Sequence, residues 1–246
     1  MKKKRKRYKI RIERLAFSFS VISMLILLVL NGAISIFSSS KEKINDTTLL
    51  VKSKPSFVVC IDPGHGAYDR GTESADGVFE KDVVLKVGLK VGQILENNNI
   101  KVVYTRKDDE TILGSDDKED LRKRVQIAHD NKADVFVSIH CNSYKDASIK
   151  GIELWCDEPN TKDELLAKYI QDELYKLKYT EKRNMKYQSN SPLYVLKNND
   201  AISTLVEIGY LTNKDDSTFI TSKNGQAKCA EAIAKAILSF KESIKK

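Results

Sequence analysis

Apolar runs in this chain end in, or carry, residues that hydrophobic packing would not select. The first, Phe57 to Asp62, passes into Pro63-Gly64-His65-Gly66. Glycines on both sides of a histidine let the backbone turn tightly and expose the ring. The second, Asp134 to Ile139, delivers His140, followed by Cys141, Asn142 and Ser143. The third, Ser203 to Leu211, holds Glu207, the only charged residue between Asp200 and Lys214. Imidazole is the commonest metal ligand. A carboxylate inside an apolar strand is costly unless it is paired, metal-bound or catalytic. Burial also raises its pKa toward the range useful for general acid–base work. The bland alternatives are a solvent-facing turn histidine, a structural strand-end histidine, and an ion pair from Glu207 to Arg106 or Arg124.

Two histidines and a carboxylate, with a fourth position left to water, form the pattern of a hydrolytic zinc site. The third ligand is open from the residues alone, because Asp62, Asp69, Glu73, Asp76, Glu80 and Asp82 all lie near His65. Glu80 is attractive because it opens a helical pattern and a short loop could return it to the strand end. The remaining histidine, His129, sits on a helical pattern beside Asp130 and reads as a surface residue.

Elements that would position these groups alternate between short apolar runs and helical patterns, which argues for an α/β fold. Strands are expected at 56–62, 100–105, 134–141, 151–155, 193–197 and 203–209. Helices are expected at 80–97, with Val84, Val87, Val91 and Leu95 on one face, and at 117–130. Two more fall at 161–178, with Leu165, Tyr169 and Leu177 on one side, and at 224–243. Asn97-Asn98-Asn99 suits a helix end, since Asn tolerates the left-handed conformation. The expected fold is a single α/β domain, a twisted and mostly parallel sheet of about six strands flanked by helices. In such sheets, active sites form beyond the carboxyl ends of the strands.

The net charge of +8 would suggest a nucleic-acid partner, but its location excludes one. Residues 1–14 hold nine basic residues and one acid, Glu13; removing them from the 42 basic and 34 acidic residues leaves 33 of each. The remainder is neutral and lacks the electrostatic footprint of a nucleic-acid binder. After this basic head, residues 15–40 are uncharged and apolar, the mark of a membrane span of about 20 residues or of a signal segment. Basic residues stay on the cytoplasmic side, so either reading places the domain outside. Residues 41–55 read as a linker and 56–246 as the catalytic domain. Cys60, Cys141, Cys156 and Cys229 lack the spacing of a cysteine zinc site, and buried free thiols are expected. A Cys60–Cys141 bridge is possible only if their strands are neighbours.

The segments IDPGHGAYDRGT, GVFEKDVVLKV, VVYTRKDDE, ADVFVSIHCNS, GIELW and LVEIGYLTN occur in order. Together they resemble the motifs of the zinc-dependent N-acetylmuramoyl-L-alanine amidases, the amidase-3 family. The resemblance implies one Zn²⁺ held by His65, Glu80 and His140, with Glu207 as the catalytic residue and peptidoglycan as substrate. The basic N-terminus with a single apolar segment, KEDLRKRV and LAKYIQDEL are most similar to the spore-cortex branch of that family. That branch removes stem peptides before muramic lactam forms in the cortex space between the forespore membranes. The rival is a wall-binding protein with the same fold that is idle, or active only with a partner protein. Departures from the family pattern are His129 where asparagine is usual, Asn184 after Arg183 where glycine is common, and no proline before Leu205-Val206-Glu207.

Overall fold

Strand β1, Val58–Pro63, is buried along nearly its whole length, as its unbroken apolar sequence requires of a strand covered on both faces. The computed structural model describes residues 57–189 and 192–245. The expected head, membrane segment and linker at 1–55 lie outside the described residues, among which no helix is long and apolar enough to cross a membrane. Beyond β1 come α1 (Glu80–Asn97), β2 (Lys101–Tyr104), α2 (Asp117–Asp130), β3 (Val135–Asn142) and β4 (Glu153–Cys156). Then follow α3 (Lys162–Tyr175), β5 (Lys186–Tyr187), α4 (Tyr194–Lys197), β6 (Ile202–Tyr210), α5 (Lys214–Thr221) and α6 (Lys223–Ile244).

The six strands form one sheet in the order β2-β1-β3-β6-β4-β5. Strands β2, β1, β3 and β6 run parallel, β4 runs antiparallel to β6, and β5 follows β4. The domain is therefore single, α/β and mostly parallel, as expected. One face of the sheet packs on α1, α3 and α6 through residues such as Val84, Val91, Ile170, Ile233 and Phe240. The other packs on α2 and α4 through Ala128, Val195 and Leu196 against Cys60, Phe136 and Leu205.

Helix α1 buries the stripe Val84, Val87, Val91 and Leu95 that its spacing indicates. Its many β-branched residues are mediocre helix formers, so its stability comes from this packing more than from propensity. It ends as the asparagine run suggests, with Asn99 at φ +59°. Two sequence expectations need correction. Residues 193–197 form no strand; four of them make helix α4, and the sixth strand is Lys186–Tyr187, too short to show any alternation. In α3 the buried face is Leu166, Ala167, Ile170 and Leu174, while Leu165 is exposed. Helix α5 was not expected, although its cap was readable: the Asn213 side chain accepts from the Asp215 and Asp216 N–H groups.

All four cysteines are free and buried. Cys60 and Cys141 do lie on neighbouring strands, but pleating sends them to opposite faces of the sheet, where no bridge can form.

Candidate active site

Pleating also explains what gathers at the carboxyl ends. Asp62 on β1, Ser138 and His140 on β3, and Glu207 on β6 share the α2 face at alternating positions. Register places Asp62 beside Ser138 and His140 beside Glu207. His65 arrives from the turn after β1, and Glu80 from the first residue of α1.

These residues converge. Glu80 Oε1 lies 3.1 Å from His65 Nε2 and 3.0 Å from His140 Nδ1. The rings of the two histidines meet edge-on with centroids 4.9 Å apart. Among the described residues, His65, Glu80 and His140 are the group whose donor atoms lie within 4.8 Å of one another and could hold a metal ion. Donors on a tetrahedral zinc at about 2.0–2.2 Å sit roughly 3.3 Å apart, so the observed spacing and the imidazole–carboxylate chemistry fit such an ion.

Glu80 is fixed by the backbone. The Cys141 N–H donates to Oε1 at 2.9 Å and the Thr72 N–H to Oε2 at 3.0 Å. Burial favours the neutral acid, but His140 and His65 outweigh it and hold the carboxyl well below the usual carboxylate range. His65 Nδ1 meets Asp69 Oδ2 at 2.6 Å, which fixes the ring and directs Nε2 at Glu80. Burial opposes charge on that ring, yet Glu80 and then Asp69 raise its pKa. Of the carboxylates near His65 in sequence, the structure thus brings Glu80 among the imidazoles and sets Asp69 behind one of them. Asp62 is spent elsewhere, and Glu73, Asp76 and Asp82 do not join the cluster.

His65 itself has φ +59°, a left-handed conformation that costs a non-glycine residue of order 1–3 kcal/mol. Two buried arginines hold the turn in place. Arg106 donates to the carbonyls of Pro63 (3.0 Å), Gly64 (2.8 Å) and Lys81 (2.9 Å). Arg124 donates to Asp62 Oδ1 (2.8 Å), Pro63 O (3.1 Å) and His65 O (2.8 Å). These arginines are the partners that the bland reading assigned to Glu207. They do not reach it, and Glu207 Oε2 is buried with no hydrogen-bond partner among the described residues. Burial, then Glu80 and Glu153, push the Glu207 carboxyl well above its ordinary pKa.

A groove of about 190 Å³ opens beside His65 and His140, walled by Leu121, Tyr194, Val195 and Leu205. Gly64 forms part of its floor. A Cβ there would lie 2.2–2.7 Å from three atoms of the His140 ring. Gly64→Ala is therefore expected to displace His140 and to reduce metal uptake, measured as metal per chain, much more than it lowers Tm. Unchanged metal content in Gly64→Ala would show that the ring moves aside freely.

Sequence reasoning passed over Glu153. It faces Glu207 across β4–β6 and is buried in an apolar strand, the same signal that singled out Glu207. His129 is exposed, as expected.

A mostly parallel α/β sheet with a His–Glu–His cluster and an unpartnered glutamate at its carboxyl edge defines an enzyme domain with a candidate metal centre. Residues 59–239 match the Amidase_3 family model, and the chain belongs to that family, the N-acetylmuramoyl-L-alanine amidases. The germination-specific N-acetylmuramoyl-L-alanine amidase of Bacillus subtilis is 30% identical over 190 residues, covering 74% of this chain and 79% of that protein. Among solved structures, amidase AmiC2 of Nostoc punctiforme is 32% identical with a TM-score of 0.68, covering 76% of this chain and 97% of that one. The CwlD amidase of Clostridioides difficile, solved in complex with the GerS lipoprotein, is 29% identical with a TM-score of 0.71, covering 76% and 99%.

Proposed function

We propose that this amidase hydrolyses the amide between N-acetylmuramic acid and L-alanine in peptidoglycan with one zinc ion held by His65, Glu80 and His140. The observation that carries the reading is the meeting of those three side chains beside a buried, unpartnered Glu207 oxygen. A bound zinc would polarise the scissile carbonyl and lower the pKa of an attacking water. In this reading Glu207 would accept the proton of that water and deliver it to the departing amine of L-alanine. A carboxyl with a raised pKa suits both transfers better than an ordinary one. Asp69 and the two arginines contribute orientation, since Asp69 fixes the His65 ring and the arginines hold the carbonyls of Pro63, Gly64 and His65.

The relatives named for germination and for CwlD support a role in spore-cortex maturation leading to muramic lactam. The lipoprotein bound to the C. difficile amidase supports a companion protein here as well. The same proposal places residues 1–14 in the cytoplasm, 15–40 in the membrane as anchor or signal, 41–55 as linker and 56–246 outside as the catalytic domain. Anchoring near the wall would raise the local substrate concentration.

Purified protein is expected to contain about one zinc per chain, to release new N-terminal alanine from peptidoglycan, and to lose both metal and activity to a chelator. Zinc should restore them. Full activity in metal-stripped protein would end the zinc reading. Adding a candidate lipoprotein partner, with metal content followed in parallel, tests the companion.

A further inference from the structure

The site continues along the sheet on the side away from the metal-ligating cluster. Glu207 on β6 is the direct cross-strand partner of Glu153 on β4, so the two side chains leave one face of the sheet from neighbouring strands, which lie ~4.8 Å apart. Glu153 is buried and does not stand alone. Asn142 Nδ2, at the end of β3, approaches its Oε1 at 3.4 Å, and Arg183 Nε reaches its Oε2 at 3.3 Å. Arg183 is itself held: Nη1 donates to Lys150 O at 3.2 Å, and its guanidinium lies 5.6 Å from the centre of the Tyr210 ring. Its aliphatic stem lies flat on Gly151, where a Cβ would come within 2.7 Å of Cγ.

This packing leaves one end of the guanidinium open. Among the described residues Nη2 has no partner, and the side chain is 34% exposed at the edge of a cleft of about 250 Å³. Glu181, Lys182, Asn184 and Lys186 line the rest of that cleft. Lys182 is already engaged by Asp172. Glu153 answers the charge on Nε but not the outward edge, and a guanidinium edge is built to receive a carboxylate.

We propose that Arg183 is a specificity-determining residue that receives the α-carboxylate of the second stem-peptide residue of the substrate, which is free where that residue is an acid linked onward through its side-chain carboxyl. The proposal rests on the amidase reading above. A scissile amide placed between the His65–Glu80–His140 cluster and Glu207 puts the second residue of an extended peptide about 7 Å away, at roughly 3.3 Å per residue. Running across β4, such a peptide heads toward Arg183, which pairs with Glu153 one strand beyond Glu207. The orientation follows from charge, because the stem peptide carries carboxylates, whereas the opposite groove includes Asp62, Asp69 and Asp120 beside its apolar walls and would repel them. Glu153 then serves as the positioning residue that fixes the guanidinium.

The test uses zinc-loaded full-length protein and two muramoyl tripeptides that are identical except at the second residue, whose α-carboxylate is free in one and amidated in the other. The wild type is expected to favour the free acid by roughly tenfold or more in kcat/KM, mainly through KM. In Arg183→Gln that ratio should collapse toward one, and in Arg183→Lys it should recover in part. Because Arg183→Gln leaves Glu153 unpaired, the double variant Glu153→Gln/Arg183→Gln repeats the measurement without a buried lone charge. Equal kcat/KM for acid and amide in the wild type, or an undiminished ratio in both variants, overturns the proposal while leaving the amidase reading intact. Failure of the wild type to cleave either tripeptide or polymeric peptidoglycan counts against the amidase reading and takes this proposal with it.

Discussion

Glu207→Gln is expected to reduce kcat on peptidoglycan by roughly 10²–10⁴-fold, the usual range for removing a general acid–base group. Tm should stay level or rise. The second expectation separates chemistry from structure. A glutamate kept for structure is normally anchored by a cation or by donors, and its removal destabilises the fold. Among the described residues Glu207 has neither: Oε2 is buried without a partner, and the charges that raise its pKa are two further carboxylates, Glu80 and Glu153. Folding holds it there against desolvation and like-charge repulsion, so neutralising it relieves strain. Zinc content should persist, because Glu207 is not among the three converging donors. A Tm drop of several degrees alongside lost activity would recast Glu207 as structural. Retained activity would remove it from the mechanism.

The parallel core was legible because β1, β3 and β6 read as continuous apolar runs, which only strands covered on both faces can afford. Their polar interruptions, His140 and Glu207, were legible for the same reason. Helix α1 announced itself through Val84, Val87, Val91 and Leu95. The far edge of the sheet was not readable. Two residues, Lys186 and Tyr187, are too few for a period, and Tyr194–Lys197 is one helical turn whose apolar residues mimic a strand. The third donor was undecided on local grounds, since nothing in the spacing of six acids reveals how the loop from Gly66 to Phe79 closes. It closes through backbone bonds: Gly66 and Asp69 bond each other, Glu80 N–H donates to Thr72 O, and Glu80 Oε2 accepts from Thr72 N–H. The wrong partner for the arginines has the same origin. An arginine that neutralises Asp62 and also collects backbone carbonyls cannot be told from one that pairs with Glu207 until the turn after β1 is folded.

Arg124→Met is expected to destabilise the protein by about 3–5 kcal/mol at neutral pH, the cost of breaking a buried pair from one side. Among the described residues Arg124 is the cation that ion-pairs with Asp62, which is 1% exposed and also accepts from Thr105 Oγ1 at 2.6 Å and Ser138 Oγ at 2.7 Å. Burial alone would raise the Asp62 pKa. The Arg124 charge and the hydrogen bonds from Thr105, Ser138 and Arg124 outweigh burial and hold it below the usual carboxylate range. A depressed folded value means that this stability is present above the unfolded pKa and is lost as pH falls through the lower folded one. In Arg124→Met the sign reverses, because burial then prevails and the neutral acid becomes the form that folds. The stability gap between wild type and variant, read from urea unfolding at each pH, should therefore be widest near neutrality. It should narrow first as pH falls through the raised Asp62 pKa of the variant, and narrow further below about 4 as the wild-type contribution is lost. A gap that stays constant across that range would place the loss in packing rather than in the Asp62 charge. The same substitution releases the carbonyl of His65, which among the described residues has no other donor and belongs to a residue in the left-handed conformation. Metal affinity should consequently fall at pH values where the variant is still fully folded, tying the stability of a buried ion pair to the geometry of the first histidine.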